Sequence, residues 1–335
     1  MENFIYFNDN HLESIVSKRE GETKFGEKVK LKPTEQSLEA FLKETSALFV
    51  VYAIKESIGV AANLGRTGTE TAFDVAIKNL LNIQHNVLCK GSWVSILGTF
   101  DFSELQQQAE NDNIDKLRKK VSLIDKQITF LNTQIIKAGK IPIIIGGGHN
   151  NAYGHIKGLS LAKNQSVNAV NFDAHTDFRA LEGRHSGNGF SYAFEEGFLD
   201  RYFIFGLHEN YTSKNIFKTL KENSDRLQYV SYEAMEIRSE KKFNEQLLLA
   251  KQFIKNKPFG IELDLDAIES VASSAVTPSG YHSKQARQFV HTMGGHDKAS
   301  YLHLCEGAPS LDSTQPSTVG KLIAYLITDF IKARK

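Results

Sequence analysis

Short apolar runs rich in β-branched residues recur along the chain from residue 48 onward, each bounded by polar or turn-forming residues. Runs of this length and composition predict buried strands. Seven are clear, at 48–54, 94–97, 141–145, 168–172, 202–205, 260–263 and 301–304. A weaker run at 228–231 brings the prediction to about eight strands.

Helical periodicity separates these strands. The clearest case is 113–138, where apolar residues follow one another at alternating spacings of three and four. Its members are Ile114, Leu117, Val121, Ile124, Ile128, Leu131 and Ile135. Such spacing forms one apolar stripe along a helix, and 247–253 and 319–331 look similar. Strands that alternate with helices predict an α/β protein whose mostly parallel sheet is covered on both faces.

The first 46 residues differ from the rest of the chain in their pattern of polar and apolar positions. Residues 1–46 are polar and carry no clear motif, so we treat them as an N-terminal extension of unknown role. A packed extension and an oligomer contact both fit that segment. Neither an internal repeat nor a low-complexity linker interrupts 47–335, which predicts a single domain.

Composition narrows the function classes. A net charge of +1 gives no strong electrostatic attraction to nucleic acid or to a membrane. No apolar stretch approaches the roughly 20 residues of a membrane span, and the N-terminus does not resemble a secretory signal. Cys89 and Cys305 are far apart and form no CxxC pair, which favours reduced thiols and a cytoplasmic protein.

Polar clusters follow four of the predicted strands at the point where each strand ends. They contain His149, Asp173, His175, Asp177, Asp264, Asp266 and Glu306. His149 ends a run of three glycines after 141–145, and Glu306 follows 301–304. Because ligands bind beyond the carboxyl ends of the strands in open sheets of this class, we expect the chemistry at these clusters.

In two of the clusters, acidic or histidine residues occupy every second position, so that their side chains point toward the same place. Asp173, His175 and Asp177 are spaced two residues apart, and in extended backbone such side chains point the same way. Asp264 and Asp266 repeat that spacing. Crowded carboxylates stay ionised only beside a compensating cation, because each raises its neighbours' pKa. Carboxylates with some imidazole suit Mn²⁺ better than Zn²⁺ or Fe²⁺, so the sequence predicts two divalent ions, preferably manganese.

From about residue 48 to 330, these motifs and their order resemble the ureohydrolase superfamily, which includes arginase, agmatinase and formimidoylglutamase. The resemblance implies a three-layer α/β/α fold, a dimanganese site and a homo-oligomer. It implies one ion held by His149, Asp173, Asp177 and Asp264. It implies a second ion held by His175, Asp173, Asp264 and Asp266, with Asp173 and Asp264 bridging the two.

Three details resemble the formimidoylglutamase branch more than arginase. The run from Gly146 to Gly154 fits the pattern Gly-Gly-Gly-His-x-x-Ala-x-Gly. Arg179 closes the pattern Asp-x-His-x-Asp-Phe-Arg, whereas arginases continue with Ile-Asn. Phe190 stands four residues after Ser186, where arginases carry a catalytic histidine. We therefore expect Phe190 to line the pocket.

Other positions bear on the substrate. The loop at 63–68, which contains Arg66, also resembles the formimidoylglutamase branch. In contrast, the Ser-Gly-Asn run at 186–188 has arginase character, and Asn150 stands where formimidoylglutamases commonly have Glu. The candidate substrate-binding residues are Arg179, Ser186, Asn188 and Arg66.

The expected mechanism follows from two ions that share carboxylates. Such ions bind one water between them and lower its pKa toward neutrality, so that a hydroxide can attack an amidine or guanidine carbon. The resemblance implies that Asp177 carries the proton to the leaving nitrogen, and His185 is a candidate for the missing relay histidine. Glu306 suits a cationic amidinium, with which it can form two parallel hydrogen bonds.

Arg179 indicates the substrate. Its planar guanidinium matches a carboxylate in a bidentate geometry. N-formimidoyl-L-glutamate has two carboxylates and no free α-ammonium, whereas the α-ammonium of arginine would be repelled. Arg66 and Arg184 are weaker candidates for the second carboxylate. The preferred reaction is therefore formiminoglutamate plus water giving glutamate and formamide.

Two alternatives stay open at this point. One is arginase or another guanidino-acid hydrolase, which would release urea. The other is a metal-binding relative without catalysis. No motif favours phosphate chemistry. Under each of these hypotheses we expect the protein to bind a small molecule, and we expect it to bind neither nucleic acid nor a membrane.

Overall fold

The computed structural model describes residues 2–334, in which nine strands form one sheet. They are β1 (Phe4–Tyr6), β2 (Phe49–Lys55), β3 (Val94–Asp101), β4 (Ile141–Ile145), β5 (Val167–Phe172), β6 (Leu199–Leu207), β7 (Leu227–Ser231), β8 (Phe259–Asp264) and β9 (Ala299–Cys305). Their order across the sheet is β1-β3-β2-β4-β9-β8-β5-β6-β7. Strands β2 to β9 pair in parallel, and β1 pairs antiparallel with β3.

All eight predicted strands are present, and the prediction of a mostly parallel sheet is confirmed. The ninth strand, β1, lies inside the N-terminal segment, where three residues among polar neighbours are too few to show a strand pattern. Other residues of that segment also reach the core, since Phe25 is fully buried against the same cluster as Phe49. The division of the chain at residue 47 stays a prediction.

Twelve α-helices flank the sheet in the described part of the chain. They are α1 (Asp9–Ile15), α2 (Leu38–Glu44), α3 (Ile58–Ala61), α4 (Ala72–Leu81), α5 (Ser103–Gln107), α6 (Ile114–Lys137), α7 (Ala152–Lys163), α8 (Gly189–Glu195), α9 (Lys214–Glu222), α10 (Phe243–Ile254), α11 (Ser283–Gly294) and α12 (Pro316–Ala333). Across residues 2–334, none of these helices combines the length and apolarity needed to cross a membrane.

The helices cover both faces of the sheet. Val51 and Ala53 of β2 point into a core formed with α4, α10, α11 and α12. Val50 and Tyr52 point into the opposite core, formed with α6, α7, α8 and α9. Successive strand residues face opposite sides, so a strand buried between two helical layers is apolar throughout. The three-layer α/β/α prediction is confirmed.

Helix α6 shows how local sequence sets an element. The side chain of Asn113 caps its first turn by accepting a hydrogen bond from the Lys116 N–H at 3.0 Å. Six of the seven stripe residues are buried, and Ile114 at the start is half-buried. The stripe packs against α7, where Gly154 lets Ile128 approach closely because a Cβ there would lie 2.9 Å from its side chain.

The strand order brings the four polar clusters together. Strands β4, β9, β8 and β5 are consecutive neighbours in the sheet and run in parallel. Their carboxyl ends therefore form one row along a single edge. Strand β9 comes last in the chain but lies between β4 and β8, a placement that the sequence pattern does not reveal.

Close contact between α12 and α4 generates a stability prediction. A Cβ on Gly320 would lie 2.4 Å from the backbone oxygen of Val75. Helix propensity alone favours alanine over glycine by about 1 kcal/mol, whereas overpacking a core costs about 1–3 kcal/mol. We expect Gly320→Ala to lower the free energy of unfolding by about 1–2 kcal/mol, measured by urea denaturation.

The exposed neighbour Lys321 provides the control for this change. Lys321→Ala should leave the free energy of unfolding within about 0.5 kcal/mol of the original protein. A stabilised Gly320→Ala protein would show that helix propensity outweighs the contact with α4.

Candidate metal centre

His149 reaches the site through the glycine turn that follows β4. Gly146 and Gly147 adopt φ values of 84° and 74°, a left-handed backbone that glycine tolerates without strain. The His149 N–H then donates to Oε1 of Glu306 at 2.6 Å. On the other side of the turn, Oε1 of the fully buried Glu56 accepts from the Gly148 N–H at 3.0 Å. Two carboxylates therefore hold the loop that carries His149.

Three carboxylates converge on one nitrogen of His149. Its Nδ1 lies 2.7 Å from Oδ2 of Asp177, and 3.2 Å from Oδ2 of both Asp173 and Asp264. The imidazole is fully buried, and among the residues that the structure describes Nδ1 has no partner in hydrogen-bonding geometry. Carboxylate oxygens gathered around an imidazole nitrogen without a hydrogen bond fit a divalent cation.

A second group lies beside the first. The Nδ1 of His175 is 3.2 Å from Oδ2 of Asp266 and 3.5 Å from Oδ1 of Asp173. Asp173 therefore directs one oxygen at each histidine and links the two groups. Asp264 belongs to the close group around His149, whereas the close group around His175 consists of Asp173, His175 and Asp266.

The pKa values of the buried acids explain why the carboxyl-terminal edge of the sheet needs positive charge. Burial, followed by repulsion from Asp266 and Asp173, raises the pKa of Asp264 well above its usual value. Burial raises the pKa of Glu306 to about 8, and burial together with Asp173 raises the pKa of Asp177 to about 6. Nearby cations reverse such shifts, because they favour the ionised carboxylates. The donor set and the burial both fit a pair of divalent ions.

The two candidate catalytic acids have unusual backbone conformations. Asp177 has φ 45° and Glu306 has φ 60°, in the left-handed region that residues other than glycine seldom occupy. Such conformations cost about 1–3 kcal/mol each and persist only where surrounding contacts impose them. Both residues line the same cavity, so the strain coincides with the predicted chemistry.

A cavity of ≈ 410 Å³ lies next to the carboxylates and histidines described above. It is lined by His175, Asp177, Arg179, Ser186, Asp264, Asp266 and Glu306 among others. The Nη1 of Arg179 donates to Oδ1 of Asn63 at 2.7 Å, and Nδ2 of Asn63 donates to Oγ of Ser186 at 3.1 Å. Arg179 keeps about half of its side chain exposed, at 54%. The structure thus brings two of the four candidate substrate residues to the pocket.

The other two candidates do not reach it. Asn188 is fully buried, and its side chain bonds to Arg184 and to the backbone of its own loop. No donor or acceptor of that amide is left for substrate. Arg66 is exposed and lines a separate cavity of ≈ 230 Å³ with Asp312. Sequence motifs predicted that both residues lie near the site. The direction of each side chain, however, depends on contacts with segments that are distant in sequence.

Arg184, a weaker candidate for the second carboxylate, does not line the cavity of ≈ 410 Å³ and makes contacts inside the fold. It is buried, and its Nε donates to Oδ2 of Asp125 in α6 at 3.0 Å. Its Nη2 donates to the backbone oxygen of Asn150 at 2.7 Å. Arg184 therefore joins α6 to the loop after His149.

Phe190 and His185 also differ from expectation. Phe190 is fully buried beneath the site, where it contacts His149 edge-to-face at 5.2 Å and stacks on Tyr202 at 4.2 Å. It packs against the His149 ring instead of lining the pocket. His185 does not line the cavity either, because its Nδ1 accepts from Gly187 N and its Nε2 faces Glu182. Burial and the charge of Arg179 lower the pKa of His185 to about 4.

Several site residues carried no predicted role. Tyr211 lines the cavity and stacks on His175 at 5.3 Å, and Ser274 donates to Oε2 of Glu306. Neither lies in a recognisable pattern. Glu262 is different, because it precedes Asp264 by two residues inside an apolar strand, and a lone acid there signals a buried partner.

Formimidoylglutamases are among the known proteins that are similar to this chain in sequence. The chain is 25% identical to the formimidoylglutamase of Macrococcus caseolyticus over 277 residues, which cover 80% of this chain and 81% of that protein. It is 30% identical to a formimidoylglutamase of Streptococcus pyogenes serotype M3 over 177 residues, 50% of this chain and 49% of that protein.

Solved structures show the same fold. The formimidoylglutamase of Bacillus subtilis has a TM-score of 0.73 at 17% identity, covering 95% of this chain and 93% of that one. Trypanosoma cruzi formiminoglutamase with Mn²⁺ also has a TM-score of 0.73 at 17% identity, covering 94% and 100%. The model of the Arginase family matches residues 59–331. Because that match spans most of the chain, the chain belongs to the arginase family, as its ureohydrolase motifs predicted.

Proposed function

We propose that this protein hydrolyses N-formimidoyl-L-glutamate to L-glutamate and formamide. Membership of the arginase family and similarity to formimidoylglutamases support a hydrolase that acts on the C–N bond of a linear amidine. The observation that carries the finer proposal is Arg179, a half-exposed arginine at the pocket that also contains the candidate metal ligands.

Arg179 is set to receive a carboxylate. Its contacts with Oδ1 of Asn63 at 2.7 Å and with Oε1 of Glu182 at 3.4 Å orient the guanidinium. A guanidinium has five N–H donors, so others remain for a ligand. A Cβ on Gly187 would lie 3.0 Å from Cδ of Arg179, so glycine leaves room for this side chain. The arrangement suits an acidic substrate better than one with a free α-ammonium.

Glu306 serves the amidine end of the substrate. Its Oε1 accepts from the His149 N–H and its Oε2 from the Ser274 hydroxyl, which fix the plane of the carboxylate. Each oxygen has a further lone pair for an N–H of the amidinium. Glu306 and Arg179 line one cavity, so a substrate with a cationic amidine and an acidic tail can contact both.

The two groups of candidate ligands around His149 and His175 fit two divalent ions. The structure of Trypanosoma cruzi formiminoglutamase with Mn²⁺ supports manganese as the metal. We propose that His149, Asp173, Asp177 and Asp264 hold one ion, and that His175, Asp173, Asp264 and Asp266 hold the other. When bound, such a pair supplies Lewis-acid polarisation and an acidified water. A homo-oligomer and a cytoplasmic location stay predictions.

Asp177 would move the proton. It lines the cavity, and 12% of its side chain is exposed. Addition of water to the amidine carbon is followed by cleavage of the bond to the glutamate nitrogen. Asp177 takes one proton from the water and delivers it to that nitrogen, so that glutamate leaves as an amine. The remaining hydroxyl proton of the adduct is released to the departing amine as the carbonyl of formamide forms.

The proton role of Asp177 predicts the behaviour of Asp177→Asn. Asparagine has the same shape but cannot accept the proton, so kcat measured at matched Mn²⁺ content should fall by at least about 100-fold while circular dichroism stays unchanged. The exposed Asp115→Asn in α6 is the control and should keep full activity. Full activity in Asp177→Asn would refute the assigned role.

The substrate assignment predicts product identity. Mn²⁺-loaded protein incubated with formiminoglutamate should release formamide and glutamate, and incubation with arginine should release no urea. Urea without glutamate would favour a guanidino-acid hydrolase. Bound metal without turnover of either compound would favour a relative that binds metal but has no activity.

Replacement of Arg179 tests the same assignment at the binding step. Arg179→Ala should raise KM for formiminoglutamate by about 10–100-fold, because a charge-assisted bidentate contact is lost. The control is Arg287→Ala in α11, whose side chain is similarly exposed at 43% but pairs with Asp329 away from the pocket. An unchanged KM in Arg179→Ala would exclude this arginine as the carboxylate site.

A further inference from the structure

Glu262 is a fully buried carboxylate in β8, beneath the candidate metal centre. It precedes Asp264 by two residues, so both side chains project from the same face of the strand. A buried charge is tolerated only where several partners satisfy it. The proton transfer and the substrate contacts proposed above do not use Glu262.

Strand register supplies the first two partners. The parallel pairing of β8 with β9 sets Glu262 beside His303 and Gly260 beside Tyr301. The Nδ1 of His303 lies 2.6 Å from Oε2 of Glu262, and the hydroxyl of Tyr301 donates to Oε1 at 2.6 Å. A Cβ on Gly260 would lie 2.1 Å from the Tyr301 ring, so glycine lets the tyrosine lie across β8 and reach the carboxylate.

The third neighbour is a candidate metal ligand. The Nε2 of His149 lies 3.6 Å from Oε2 of Glu262, on the side of the ring opposite the carboxylates around Nδ1. Within residues 2–334, this nitrogen has no hydrogen-bond partner. His303 adds a second link, because its Nε2 faces the backbone oxygen of Gly146 at 3.3 Å, in the turn that carries His149.

We propose that Glu262 is a positioning residue that fixes the ring orientation and tautomer of His149, an inference that rests on the proposed metal centre. An imidazole that ligates a metal commonly donates its other N–H to a carboxylate, which directs the free lone pair to the metal. Glu262 at Nε2 leaves Nδ1 to face the cluster. Tyr301 and His303 keep the carboxylate itself from turning.

The geometry makes this effect selective for one ion. His149 belongs to the group with Asp173, Asp177 and Asp264, whereas the second group is built on His175. The rings and carboxylates that contact Glu262 include His149 but not His175. Loss of Glu262 should therefore weaken one metal site and spare the other.

The test is calorimetric titration of the metal-free full-length protein with Mn²⁺. Two binding events are expected for the original protein. In Glu262→Gln, which keeps the size of the side chain, one dissociation constant should rise by about 10–100-fold while the other stays within about threefold. Metal content after gel filtration should fall from two ions toward one.

Two further variants separate positioning from general damage. Tyr301→Phe keeps the carboxylate but removes one bond that orients it, so the same site should weaken by about fivefold. Asp329→Asn removes a carboxylate that is only 13% exposed and pairs with Arg287 away from the pocket. It should lower the thermal midpoint while both Mn²⁺ affinities stay within about threefold.

The outcomes distinguish this inference from the proposed function. Unchanged Mn²⁺ binding in Glu262→Gln and Tyr301→Phe, or equal weakening of both sites, would overturn the role of Glu262 alone. An original protein that holds no Mn²⁺ tightly would overturn the metal centre and this role together. Should Glu262→Gln fail to fold, Tyr301→Phe provides the same site-selective comparison.

Discussion

Mutual repulsion of buried carboxylates at one edge of the sheet is the constraint on which this site depends. Asp173, Asp264 and Asp266 are almost wholly buried, and their oxygens lie close to one another around two imidazoles. Burial and the charges of the neighbouring carboxylates raise the pKa of Asp264, so the folded chain tolerates the cluster only with protons or cations among the oxygens. Two divalent ions, as proposed for this site, would satisfy that requirement and would supply the chemistry that hydrolysis of an amidine needs.

A ring of further contacts holds the cluster in place. Glu56 accepts from the Gly148 N–H and Glu306 from the His149 N–H, and Phe190 packs on the His149 ring. Glu262 approaches the ring from below. Each of these side chains is buried, so their geometry is fixed by packing before any ligand binds. The site therefore combines strained, cavity-facing acids with a rigid support beneath them.

The residues proposed for catalysis and those proposed for substrate recognition lie on different parts of the fold. The ligand cluster and Glu306 lie on the strand ends, whereas Arg179 lies in the loop that continues from β5 and is held by Asn63 from another loop. A change of substrate within such a fold can therefore arise in the loops without disturbing the metal ligands. The position of Arg179 favours an acidic amidine for this chain, and the burial of Asn188 removes one contact that its arginase-like run suggested.

Local sequence was enough to predict eight of the nine strands in residues 2–334 and helix α6, and to nominate the candidate ligands. Apolar runs mark strands, a spacing of three and four marks a helix, and the alternation of Asp173, His175 and Asp177 aims their side chains together, because each of these features depends on neighbours along the chain. Tertiary structure alone decided that β9 lies between β4 and β8, that Asn188 turns inward, and that Glu262 meets His303 and His149. These outcomes depend on segments far apart in sequence, and a one-dimensional pattern contains no information about which of them become neighbours in space.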